Sequence, residues 1–162
     1  MKKLLVALFA ALAVVTPTLA KNLAVPSDDP VVTLSVPNSW TMKEIDFGYS
    51  AVSPDKGVAF YVEFAAGARV KKMTDLNESW MKENSIVTLG KAEEMEVDFS
   101  GVKGTVLRYK AKDENGPTNV NFGFIQAGQN RVIMLTLWGS DEEQKDNQKD
   151  VDSILTSIKP IQ

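Results

Sequence analysis

Histidine and cysteine are both absent from this 162-residue chain, and together the two absences exclude a wide range of chemistry. Without histidine there is no Ser-His-Asp or Cys-His nucleophile, no imidazole base and no His-ligated zinc, copper or haem. Without cysteine there are no disulfides, no thiol catalysis, no thiolate metal site and no lipid-modified cysteine anchor. Arginine is scarce, at Arg69, Arg108 and Arg131 only. Long apolar runs are missing after the first fifteen residues.

Those first residues set the expected compartment. Lys2 and Lys3 precede an apolar stretch from Leu4 to Val15, Pro17 breaks it, and Thr18-Leu19-Ala20 ends it with small residues. This is the pattern of a signal peptide over 1–20, cleaved after Ala20. The stretch is shorter than the roughly 20 apolar residues that span a bilayer. The reading is a periplasmic or secreted protein with no integral membrane segment after cleavage. Removing the twenty residues leaves 142, and the loss of two lysines takes the formal charge from −3 to −5. An acidic domain of this kind suits neither nucleic acid nor anionic membranes, which draw on clustered Lys and Arg. A chain of this length buries roughly 68–70% of its unfolded surface, so the core needs no staples.

Residues 21–30 hold two prolines and Asp28-Asp29 without periodicity, and are read as a flexible lead; 31–162 is read as one domain. Val32, Leu34 and Val36 alternate in a first strand, and Ile45, Phe47, Tyr49 and Ala51 in a second. Ser53-Pro54-Asp55-Lys56-Gly57 is a turn in which Pro fixes φ and Gly supplies a positive φ. Val58, Phe60, Val62 and Phe64 line one face of a third strand. Thr74 is the expected cap of a helix ending near Asn84, with Met73, Leu76 and Trp80 on one face. Met95, Val97 and Phe99 then alternate with Glu94, Glu96 and Asp98, a strand wet on one side. Gly101 turns the chain into a strand over 103–111, and another starts at Val120, Phe122 and Phe124. The strand from Arg131 to Trp138 is apolar on both faces, which places it at the centre of a sheet covered on both sides. A final helix opens with a capping box, Ser140 and Glu143. Only its second half, with Val151, Ile154, Leu155 and Ile158, is apolar enough to dock. The sum is an α+β domain, a twisted antiparallel sheet of about six to seven strands flanked by helices.

Several elements stand in a familiar order. They are Pro37-x-x-Trp40 ending a strand, a hairpin turning at Ser53-Pro54-Asp55, a helix, and a strand pair hinged on Gly101 and Gly104. Two more strands and Ile154-Leu155-Thr156-Ser157-Ile158 in a last helix complete the series. Over about 31–158 this resembles the PsbP/Mog1-like superfamily, including its exported bacterial members of unassigned function. The resemblance implies an α/β/α sandwich and a function of binding another protein without catalysis. The superfamily includes photosystem accessory proteins, a cofactor of a nuclear-transport GTPase, and bacterial chaperones or immunity-type partners.

The catalytic constellations present are weak. Ser-x-x-Lys occurs at Ser53–Lys56 and Ser100–Lys103, but in turns and without the Ser-Asp-Asn and Lys-Thr-Gly elements that accompany it in penicillin-recognising enzymes. The carboxylates at Asp28-Asp29, Glu93–Asp98 and Asp141–Glu143 read as a solvated lead, a wet strand face and a helix N-terminus. Asp113-Glu114-Asn115-Gly116 has the look of a calcium loop without the later acidic ligand. The sequon Asn77-Glu78-Ser79 falls inside a helix. No catalytic residue, metal ligand or cofactor is assigned. The binding candidates are aromatic and cationic: Trp40, Tyr49, Tyr61, Arg108, Tyr109 and Arg131. Tryptophans anchor cores, tyrosines rim grooves, and arginine with tyrosine is enriched at interfaces. Three functions follow in order. First is a protein-binding accessory module of the cell envelope, working through a sheet edge or the groove beside the terminal helix. Second is a small-molecule or lipid carrier with a pocket between sheet and helix of at least ~300 Å³. A hydrolase using Ser-Lys or paired carboxylates is a distant third.

Overall fold

A computed structural model of the chain describes residues 20–99 and 101–161. Residues 1–19, which hold all but the last residue of the expected signal peptide, lie outside the described residues, as do Ser100 and Gln162. The described residues form two antiparallel sheets and three helices. The large sheet contains β3 (Thr41–Ile45), β4 (Gly48–Val52), β5 (Ala59–Ala66), β6 (Val87–Thr88), β7 (Glu93–Phe99), β8 (Val102–Asp113), β9 (Gly116–Gln126) and β10 (Arg131–Gly139). Its order is β3-β4-β5-β10-β9-β8-β6, with β7 also paired to β8. The small sheet is β1 (Ala20–Val25), β2 (Val32–Pro37) and β11 (Lys159–Pro160), in the order β1-β2-β11. The helices are α1 (Arg69–Glu83), α2 (Asp141–Asp146) and α3 (Gln148–Thr156).

β10 is central, between β5 and β9, as its two apolar faces require. Ile133 and Leu135 join one core cluster with Phe60 and Val62 of β5, Leu34 and Val36 of β2, and Val151 and Ile154 of α3. Met134 faces the other way, into a cluster with Ala65, Val120, Phe122 and Met73 of α1. One face of the large sheet therefore carries the small sheet and α3, and the other carries α1. Burying each large apolar side chain contributes roughly 1.5–3 kcal/mol, so both layers hold the central strand.

Several expectations change. The segment expected as a flexible lead begins with β1, whose Leu23 and Val25 alternate with Asn22 and Ala24 and pair with Leu34 and Val32. Val25 is fully buried; two apolar residues on one face suffice when a neighbouring strand supplies the ladder. The single strand expected over Ile45–Ala51 is a hairpin, β3 and β4, turning at Asp46-Phe47. With β1 and β6 added, the sheets are richer in strands than the six or seven expected. Helix α1 starts at Arg69, and Thr74 lies inside it, donating to the Lys71 carbonyl at 2.8 Å. The terminal helix is two helices meeting at Asn147.

The Ser140 capping box forms in full, with Glu143 N–H donating to Ser140 Oγ at 3.2 Å and Ser140 N–H to Glu143 Oε2 at 2.7 Å. As the charge pattern requires, α2 buries nothing, whereas α3 buries Val151 and Ile154. In the Ser53–Gly57 turn the left-handed residue is Lys56, at φ 64°, not Gly57. Gly57 is needed for a different reason: a Cβ there would meet Glu143 Cγ at 2.9 Å.

Candidate binding surfaces

The six candidate residues go to different places. Trp40 is a core residue, 1% exposed, with its indole N–H donating to Asp150 Oδ2 at 2.9 Å. Tyr49 and Arg131 border a polar crevice of about 580 Å³ beside the 26–29 loop. There Arg131 pairs with Asp29 at 2.8 Å and lies over the Phe64 ring at 5.2 Å. Tyr61 packs edge-on against Trp80, centroids 5.1 Å apart, and Trp80 against Trp138 at 5.5 Å. Tyr109 meets Phe122 at 6.1 Å on the α1 face. Arg108, its neighbour in β8, points to the opposite face and reaches Asp141 at 3.2 Å. The tyrosines do not rim one groove.

Two apolar grooves flank the β8–β9 half of the large sheet, one on each face. The first runs between α1 and the sheet, about 290 Å³, walled by Met81 and Asn77 on the helix and Leu107, Tyr109, Phe122 and Phe124 on the strands. Beside it lies a buried polar network. Asn77 Nδ2 donates to Glu63 Oε2 at 3.0 Å and to the Met73 carbonyl at 3.0 Å, while Thr136 Oγ1 donates to Asn77 Oδ1 at 3.4 Å. Glu63 is 5% exposed. Burial pushes its carboxyl above the ordinary 4.5, and the Asn77 hydrogen bond only partly opposes this. Burial also raises the Tyr61 hydroxyl, with the neighbouring Glu63 charge adding in the same direction and the Trp80 hydrogen bond opposing.

The second groove lies beside the terminal helices and holds about 220 Å³. Phe60, Met95, Val106 and Leu135 contribute to its apolar lining, Leu155 of α3 borders it, and Arg108 and Asn121 bring polar groups. Arg108 and Asn121 are cross-strand partners in the β8–β9 register, which explains why they share one face. Asp141 at the α2 N-terminus holds the Arg108 guanidinium through Nη2, and Asn119 Nδ2 donates to the same carboxylate oxygen at 2.9 Å. Arg108 Nε is buried without a partner among the described residues.

No protein-family model matches the chain, and no curated protein matches it in sequence. Solved structures do match. Cyanobacterial PsbP (CyanoP) from Synechocystis sp. superposes with a TM-score of 0.59 at 10% identity, covering 94% of this chain and 99% of that one. LpqN of Mycobacterium tuberculosis, described as involved in cell envelope biogenesis, gives 0.54 at 13% identity over 88% and 92%. A Bacteroides thetaiotaomicron protein gives 0.54 at 9% identity over 81% of this chain and 45% of its own. The chain has the PsbP/Mog1-like fold.

Within this PsbP/Mog1-like fold the turn reading of Ser53–Lys56 holds: Lys56 N–H donates to the Ser53 carbonyl at 2.9 Å. The Ser53 hydroxyl is occupied, donating to Asp55 at 2.5 Å and accepting from Val58 N–H at 2.9 Å. Hydrogen bonds from Ser53, from Gly57 N–H and from Asn147 hold the Asp55 carboxyl below its ordinary value, Ser53 contributing most. Among the described residues no group of three or more acidic side chains is arranged to hold a metal, and no helix is long and apolar enough to cross a membrane. Sequence reasoning missed Glu63, Asn77 and Thr136. The available signal was Glu63 itself, a single acid inside the apolar run from Val58 to Ala66.

Proposed function

We propose that this chain is an exported, non-catalytic accessory protein that binds another protein of the cell envelope through the groove beside α2 and α3. The observation that carries this reading is the groove's composition: an apolar floor with Arg108 braced at its edge by Asp141. At about 220 Å³ the groove is smaller than the roughly 300–1,000 Å³ of ordinary small-molecule sites. It is of a size to receive one anchoring side chain of a partner, and interface hot spots are enriched in arginine beside desolvated apolar pockets. Export is supported by the signal-like N-terminus. LpqN, a neighbour in fold, is described as involved in cell envelope biogenesis. The missing histidine and cysteine favour binding over catalysis. Leu155→Glu and Arg108→Ala should each abolish retention of the partner from native envelope extract while leaving the circular dichroism spectrum unchanged. Partner retention unaffected by both would remove the groove from the account.

A second reading, carriage of a small apolar ligand, attaches to the α1 groove, whose volume of about 290 Å³ falls just short of the ~300 Å³ such a site requires. Mass spectrometry of the purified protein decides it: a stoichiometric lipid or metabolite supports carriage, and none refutes it.

A further inference from the structure

A recess of about 340 Å³ opens at one end of the large sheet, where three turns converge. The Ser53–Gly57 turn supplies Lys56, the β8–β9 turn supplies Asp113 and Asn115, and the entry to α2 supplies Gly139 and Ser140. Close backbone approach builds it, since a Cβ on Gly139 would lie 2.8 Å from the Gly57 carbonyl oxygen. Tyr61 and Trp138 form its aromatic lining. Both rings are fixed: Trp80 packs edge-on against each, and the Trp138 indole N–H donates to Asp113 Oδ2 at 3.2 Å. Thr118, also in the wall, is 5% exposed, and its hydroxyl has no hydrogen-bond partner among the described residues.

The chemistry of this lining selects its ligand. Amide, hydroxyl and carboxylate groups rule against an apolar guest, because each would be desolvated without a replacement hydrogen bond. Asp113 and Glu143 against the one Lys56 rule against an anion. A neutral, polyhydroxylated molecule fits this lining, with an apolar face for the rings and hydroxyls for Asp113 and Asn115. We propose that this recess binds a small saccharide, one sugar ring against Trp138 and Tyr61 with its hydroxyls on the polar wall. The site is separate from the groove proposed for a protein partner, and neither depends on the other.

The test is a titration of the isotope-labelled protein with glucose, N-acetylglucosamine and, as a non-saccharide control, glycylglycine, read at the Trp138 indole N–H resonance. At least one sugar should shift that resonance saturably, with an affinity on the order of 1 mM or tighter, and glycylglycine should not. Asp113→Ala should weaken the sugar about tenfold, with unchanged circular dichroism. Asn115→Ala should do the same, and serves if the Asp113 variant fails to fold. No shift with either sugar overturns the proposal, as does a response to glycylglycine alone or sugar affinity unaltered in the folded variants.

Discussion

Trp40 and Asp150, 110 residues apart in sequence, are joined by an indole-to-carboxylate hydrogen bond of 2.9 Å. The bond ties the chain leaving β2 to α3, and Ser157 reinforces the same junction by accepting from Ser35 N–H at 2.8 Å. The position of α3, which forms one wall of the proposed partner groove, thus rests on a residue the sequence marked for both core and binding.

Removing each partner separates those roles. Asp150→Ala should lower stability by roughly 1.5–3 kcal/mol, the usual worth of a hydrogen bond to a charged group. Trp40→Ala should cost roughly 3–5 kcal/mol, because it also empties a fully packed position. Urea unfolding midpoints at neutral pH check both values.

Glu63 makes stability depend on pH in a definite direction. A carboxyl whose folded value is raised binds its proton more tightly in the folded state than in the unfolded state. Its contribution is therefore fully present below the ordinary 4.5 and is lost as pH rises from there through the raised folded value. Glu63→Gln keeps an acceptor for Asn77 and removes the charge. It should stabilise the protein at pH 7 and change little at pH 4. Thermal unfolding at the two pH values measures this, and an equal effect at both contradicts it.

Among the described residues, the Ser140 capping box is the only reciprocal cap on a helix. Ser140→Ala should cost about 1 kcal/mol. Because α2 buries no residue, that loss should appear first as faster amide exchange over 141–146, followed by hydrogen-exchange mass spectrometry.

Much of the fold was legible in particular residues. The two-sided strand Arg131–Trp138 declared its central place, and Ser140 with Glu143 declared a helix start. The split at Asp46-Phe47 was hidden because Ile45, Phe47, Tyr49 and Ala51 keep one unbroken alternation. The turn there is set by tertiary contact: Phe64 N–H donates to the Phe47 carbonyl at 2.8 Å, and a Cβ on Gly48 would lie 2.1 Å from the Val62 carbonyl oxygen. Strand β1 was masked by the prolines and acids that follow it. The site was less legible. Arg108 was singled out as a residue, but its association with Asn121, Met95 and Leu155 depends on strand register and helix docking, which no local pattern encodes.

Site-specific photo-crosslinking in the native cell decides whether the groove beside α3 receives a partner. A photoreactive side chain at Met95, on the groove, is compared with one at Lys43, on the far edge strand β3. Position 95 should give one discrete protein adduct and position 43 none, and the adduct should be lost when Arg108→Ala is added. The same adduct from both positions, or none from position 95 in a folded protein, would contradict it.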